Sequence, residues 1–137
     1  MEWRFYCPKC GAAVNPGGIV TLIASRGDVM FLIGFDPEPG NYNIYLPFGF
    51  ALPPGTEWCF SCPVCRADLK NADHEKLCDL VLMVGNEKRK LLFSRVAGER
   101  ATYVLRGETD TIEALGDHSD RYDDTVRIKP HRADAGQ

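Results

Sequence analysis

The chain has 137 residues, of which 45% are hydrophobic and 26% charged, and carries a net charge of −3. That is a one-domain length, able to bury about two-thirds of its unfolded surface, and the composition is that of an ordinary soluble globular protein. The mildly acidic balance gives no global attraction to nucleic acid or to an anionic membrane surface, and no apolar run reaches the roughly 20 residues of a membrane-spanning helix.

In chain order, the opening "MEWRFYCPKCG" holds an acidic residue and no apolar h-region, so the expected location is the cytoplasm, with no membrane segment. "NPGG" (15–18) is a turn. "IVTLIA" (19–24) and "VMFLIGF" (29–35) flank "SRGD" and read as a β-hairpin. Both runs are almost continuously apolar, which predicts burial on both faces or one face reserved for a partner. Arg26-Gly27-Asp28 is read as turn chemistry. "DPEPGN" (36–41) is a loop, and 42–55 is an aromatic segment broken by prolines, an edge strand or irregular. Trp58 and a second cysteine cluster follow, then a polar loop over 70–76. "CDLVLMV", "RKLLFSRV" and "ATYVLRG", within 77–106, predict a three-stranded antiparallel meander. Residues 111–124 hold one strand or a short helix, and 129–137, nearly devoid of apolar residues, read as a frayed tail. No internal repeat is evident beyond the two cysteine motifs.

Those motifs carry the chemistry. "CPKCG" (7–11) and "CPVCR" (62–66) are both Cys-Pro-x-Cys. A two-residue gap folds the chain into a knuckle with both sulfurs facing one ion, and backbone N–H groups in the turn donate to the thiolates. Proline fixes φ after the first cysteine, and glycine after the second, as at Gly11, provides an exit with φ > 0. Two knuckles supply four thiolates, Cys7, Cys10, Cys62 and Cys65, the closed tetrahedral set of a structural zinc site. In a reducing cytosol such spacings point to metal before disulfides. On Tyr6–Gly11, Cys62–Cys65 and the nearby Trp58, the sequence resembles the zinc-ribbon and rubredoxin-like class. That resemblance implies two knuckles, each on a β-hairpin, clasping one metal, with zinc preferred and iron as the alternative. It covers about 25 residues. Arg66 stands where the pattern has glycine, so the second knuckle must leave through a strained residue or another turn. The span from Cys10 to Cys62 exceeds that of a compact rubredoxin, making 15–58 an insertion that builds much of the fold.

Cys59, Cys62 and Cys65 also spell C-x2-C-x2-C, three corners of an iron–sulfur cluster with Cys78 as the available fourth ligand. That assignment strands Cys7 and Cys10, so the four-cysteine zinc site takes precedence, leaving Cys59 and Cys78 as spare thiols that pack as small hydrophobes. His74, beside Asp73 and Glu75, reads as a surface residue; His118, among Asp117, Asp120, Asp123 and Asp124, as part of a solvated acidic turn; His131 belongs to the tail. No nucleophile elbow, P-loop, dinucleotide fingerprint or zinc-protease motif is present.

The sequence therefore predicts a mainly β domain over 1–128. It is a zinc ribbon with a long hairpin insertion and a C-terminal three-stranded meander. No catalytic residue is assigned. The expected role is a protein-binding or adaptor module, with a protein partner or a second copy engaged through the apolar 19–52 region, Tyr42, Tyr45, Phe48 and Phe50 included. A rubredoxin-like iron electron carrier is the alternative. A nucleic-acid module is a third reading, through the basic 88–106 segment (Lys88, Arg89, Lys90, Arg95, Arg100, Arg106) with Phe93 and Tyr103. The overall pI of 5.6 and the acidic 107–137 segment argue against that third reading.

Overall fold

The computed structural model describes residues 3–107 and 110–122, except for the side chains of 110–112. The domain end expected at 128, the tail at 129–137, and His131, Asp123 and Asp124 lie outside the described residues. Among the described residues, nine strands form two antiparallel sheets: β1 (Trp3–Tyr6), β2 (Val20–Arg26), β3 (Val29–Phe35), β4 (Ile44–Tyr45), β5 (Cys59–Ser61), β6 (Leu77–Val84), β7 (Glu87–Ser94), β8 (Thr102–Arg106) and β9 (Asp110–Leu115). Sheet A has the order β1-β6-β7-β8-β9 and sheet B the order β4-β3-β2-β5. Residues 111–124 were open between strand and helix; the described part holds both, β9 and a single 3-10 turn over Ser119–Tyr122. The expected three-stranded meander is the centre of a five-stranded sheet, extended by β1 and β9.

The sheets face each other across one core. Val20, Leu22, Ala24, Ile33 and Phe60 from sheet B meet Phe5, Cys78, Leu80, Leu82, Leu91 and Val104 from sheet A. Residues on each strand alternate between this core and the opposite face, as a pleated strand requires. The burial expected on both faces of the first hairpin does not occur. Val20, Leu22, Ala24, Phe31 and Ile33 point inward, whereas Met30 (63% exposed) and Leu32 (55%) face outward. The outer face of sheet A is partly covered. Leu77, Leu92, Ala101, Tyr103 and Leu105 form a second cluster under Ala114 and Tyr122.

The pairing registers show a plan the sequence reading missed: the chain is built from two equivalent halves. Adding 58 to Val20↔Phe35 of the β2–β3 hairpin gives Cys78↔Phe93 of β6–β7. The same shift carries Gly34↔Tyr45 of β3–β4 onto Leu92↔Tyr103 of β7–β8. Both hairpins turn through a glycine with positive φ, Gly27 and Gly85, at the first of two turn residues, the place where a two-residue turn requires it. The following loops match bond for bond: Asp36 N–H donates to Asn43 O as Ser94 N–H does to Ala101 O, and Asn41 N–H to Glu38 O as Glu99 N–H does to Val96 O. Each half sends its first strand to the other's sheet, since β1 pairs with β6 and β5 with β2. Residues 15–58 hold β2, β3 and β4 of one half, whose own first strand, β1, lies in the other half's sheet. A cleft of about 320 Å3 lies between the sheets, lined by the equivalent pairs Phe5 and Phe60, Leu22 and Leu80, Phe35 and Phe93.

Candidate metal centre

Each knuckle grows from the end of an exchanged strand. Cys7 follows β1, and Cys7 N–H donates to Ala12 O at 2.9 Å while Gly11 N–H returns to Cys7 O at 3.0 Å. Cys62 follows β5 with the same closure: Cys62 N–H to Ala67 O at 3.1 Å and Arg66 N–H to Cys62 O at 2.9 Å. Within the turns, Lys9 and Cys10 N–H point at Cys7 Sγ (3.3 and 3.5 Å), and Val64 and Cys65 N–H point at Cys62 Sγ at the same distances. The exits differ as the sequence anticipated. Gly11 has φ +78° and Arg66 φ +68°, the one non-glycine residue with positive φ among the described residues. The second knuckle keeps the glycine-type turn and accepts the strain, which costs a residue with a Cβ about 1–2 kcal/mol.

The four sulfurs converge. Cys7 Sγ lies 3.8 Å from Cys65 Sγ and Cys10 Sγ 3.8 Å from Cys62 Sγ, and all four lie within 4.8 Å of one another. A tetrahedron with metal–sulfur bonds of about 2.3 Å has edges of about 3.8 Å, so these residues fit a single ion. The sulfurs are too far apart for a disulfide, and all six cysteines are free thiols. Cys7 and Cys62 are buried, while Cys10 and Cys65 lie on the outside, so the site is anchored in the core and faces solvent on one side. Among the described residues this is the one group of potential ligands brought together in this way.

The electrostatics favour a cation at this point. Desolvation opposes the Cys62 thiolate, but the N–H groups of Cys65 and Val64 and the thiols of Cys7 and Cys10 outweigh it and bring the pKa down to about 7. At Cys10 the backbone bond with Ala12 favours the thiolate, yet desolvation and hydrogen bonds with Cys65, Cys62 and Cys7 prevail and push it up to about 11. One sulfur ionises easily at the expense of its neighbour. Four thiolates at these distances need a positive charge between them.

The remaining candidates stay apart. Cys59, on β5, has its sulfur 3.9 Å from Arg95 Nη2. Cys78 is fully buried between the sheets, where desolvation raises its thiol to about 12. Neither joins the tetrad, so the C-x2-C-x2-C pattern does not assemble with Cys78. His74 shapes the 70–77 loop, its N–H donating to Asn71 Oδ1 and its carbonyl accepting from Leu77. His118 Nδ1 accepts from Arg100 N–H, and His118 N–H donates to Arg100 O. Both links tie the acidic turn to the loop between β7 and β8.

The sequence did contain a longer signal around the site. Aligned at a spacing of 55, "WRFYCPKCGAAV" (3–14) and "WCFSCPVCRADL" (58–69) share Trp, Phe, Cys, Pro, Cys and Ala, with Val14 answering Leu69. The repeated pattern therefore takes in the strand that feeds each knuckle and the apolar residue that returns from it. Comparison of the chain with protein-family models, with curated proteins and with solved structures found no match. No helix among the described residues is long and apolar enough to cross a membrane.

Proposed function

We propose that the protein is a non-catalytic, zinc-ribbon-like scaffold. One Zn2+ held by Cys7, Cys10, Cys62 and Cys65 locks its two halves together, and it acts as a protein-binding or adaptor module. The observation that carries this reading is the meeting of four sulfurs, two from each half, at tetrahedral spacing. Bound zinc would supply positive charge and fixed geometry. With four thiolate ligands it keeps no open position for water or substrate, unlike a catalytic zinc. The backbone N–H groups of Lys9, Cys10, Val64 and Cys65 orient and stabilise the thiolates. The cytoplasm suits such a site, because its reducing poise keeps thiols available to metal.

The adaptor role rests on the exposed apolar surface of the first half, Met30, Leu32, Ile44, Tyr45 and Phe48 foremost. Tyr42 contributes less, since its hydroxyl is engaged with Thr102 Oγ1 and Leu115 O. Phe50 packs against Phe31 at 4.7 Å between ring centroids. The nucleic-acid reading finds less support. The period of β7 separates Lys88 and Lys90 from Arg89, Lys90 approaches Asp79 at 4.0 Å, and the Arg95 guanidinium is bonded to the carbonyls of Trp58 and Glu75.

Elemental analysis of protein purified without added metal tests the proposal. One equivalent of zinc in a colourless protein is expected, lost with the fold on chelation. One equivalent of iron with visible absorption would replace it with the rubredoxin-like carrier. Full stability without any metal would end both readings.

A further inference from the structure

We propose that the cleft between the two sheets is a binding site for an uncharged, bicyclic aromatic molecule bearing one hydroxyl group. The site uses no part of the thiol centre. β1 and β5, whose ends carry the cysteines, are edge strands of their sheets, whereas the loops that rim the cleft lead to β4 and β8, beyond β3 and β7.

Protein interiors are packed closely enough that few voids exceed a water molecule. An open volume of about 320 Å3 between the sheets does not follow from core packing alone, and it reaches the size at which small-molecule pockets begin, about 300 Å3. Phe5, Leu22, Phe60, Leu80 and Leu91 line it as buried residues. Phe35 and Phe93 line it too, and they stay half-buried although both pack against the core. The rings of Phe35, Phe60 and Phe93 form a triangle with centroids 5.6, 5.8 and 5.9 Å apart. Ring faces and edges at such spacing suit an aromatic guest. The volume is about twice the ~150 Å3 that accepts one benzene ring, hence two fused rings.

The rim is preformed and chooses the polar group. It consists of the equivalent loops 36–43 and 94–101. The second loop is pinned by Gly55 N–H to Ala97 O and Ala97 N–H to Thr56 O, both at 2.8 Å, and the first by the Tyr42 hydroxyl on Thr102 Oγ1 and Leu115 O. Five charged residues line the cleft: Asp36, Glu38, Arg95, Glu99 and Arg100. Two are already engaged. Arg95 donates to the carbonyls of Trp58 and Glu75, and Glu99 accepts from Ser94, Arg121 and Tyr122. That leaves the Asp36 and Glu38 carboxylates on the first loop and, on the second, the Arg100 guanidinium, held 5.7 Å above the Tyr42 ring. None of these three forms an ion pair among the described residues. Carboxylates only accept hydrogen bonds and a guanidinium only donates them. A charged guest is drawn to one loop and repelled by the other, whereas a hydroxyl donates to the first and accepts from the second.

Equilibrium dialysis of the metal-loaded full chain against 2-naphthol, uncharged at neutral pH, tests the proposal, with 2-naphthoate and 2-naphthylmethylamine as charged analogues of the same ring system. One molecule of 2-naphthol per chain is expected, with both analogues at least tenfold weaker. Leu22→Phe and Leu80→Phe, on equivalent walls, each place a ring in the cleft and should weaken 2-naphthol at least tenfold with metal content unchanged. Should overpacking unfold both, Arg100→Ala is expected to weaken 2-naphthol at least threefold and to tighten the amine. Absence of saturable 2-naphthol binding in a chain that retains its metal overturns the proposal. So does affinity unchanged in the folded variants, or a charged analogue that binds as tightly as 2-naphthol. Loss of metal with 2-naphthol binding intact would instead strike the thiol site alone.

Discussion

Leu32 and Lys90 occupy the same place in two copies of one design. Each is on the outer face of the second strand of its hairpin, across from Ile23 and Val81 respectively. On sheet B this face exposes Ile19, Met30, Leu32 and Tyr45, with none of the described residues packed over them. On sheet A it carries Arg4, Asp79, Lys88 and Lys90, and its Leu77, Leu92 and Tyr103 are roofed by Ala114 of β9 and Tyr122 of the 3-10 turn. The inner faces show no such divergence. Leu22 and Leu80, Phe35 and Phe93, and Phe5 and Phe60 remain apolar on both sides of the shared core. Residues that meet each other, in the core or in the group of four cysteines, are bound to a common chemistry. Residues that meet solvent or a partner are free to differ. The symmetric features therefore hold the fold together, and the asymmetric ones are where the function of the module is to be sought.

That comparison can be tested from its strongest point to its weakest. Replacing Cys7 or its equivalent Cys62 with Ser is expected to abolish stoichiometric metal binding in either case. It should cost more than about 4 kcal/mol, since structural zinc contributes about 10–16 kcal/mol in small zinc domains. Elemental analysis and thermal unfolding give the readout, and a large inequality between the two variants would break the equivalence of the knuckles. Leu22→Ala and Leu80→Ala, on equivalent inner positions beside the same cleft, should each cost about 2–3 kcal/mol in denaturant unfolding, toward the lower end of the range for core leucines. A neutral result at one of them would show that the core is not shared evenly.

A third prediction concerns the cover that only the second half possesses. Glu99 is desolvated, but hydrogen bonds from Ser94, Tyr122 and Arg121 outweigh that and hold its carboxyl below the usual value. The same contact raises the Tyr122 hydroxyl to about 12, desolvation being the first cause and Glu99 the next. A lowered carboxylate pKa gives stability that is complete above the unfolded value of about 4.3 and is lost as pH falls through the folded one. The urea midpoint should therefore fall on acidification below about pH 4, and less steeply in Glu99→Gln; identical slopes would remove Glu99 from the clamp. The counterpart Asn41 has no charge to lose. The smallest effect belongs to the knuckle exits. Arg66→Gly should gain less than about 1 kcal/mol, because relief of the positive φ is offset by the greater freedom of glycine in the unfolded chain. Gly11→Arg should lose about 1–2 kcal/mol.

Much of the site could be read from the chain. Cys-Pro-x-Cys is a local geometric device, and Arg66 in the glycine position announced its own backbone strain. The hairpins at 19–35 and 77–94 were legible for the same reason, since turn chemistry and apolar runs are properties of neighbouring residues. The duplication was harder to see. Outside the knuckle strands the two halves share register and loop geometry more than residue identity, and equivalent positions as different as Met30 and Lys88 hide it.

By itself the sequence determined the four candidate ligands, the turn residues and the strand segments, all decided within a few residues along the chain. Only the tertiary structure decided that β1 belongs with β6 and β5 with β2, and hence that the sulfurs of both halves meet. It also decided which side of each strand faces the core, because apolar residues on both sides of β2 and β3 leave period-2 patterning with no preference until a second sheet is packed against one of them.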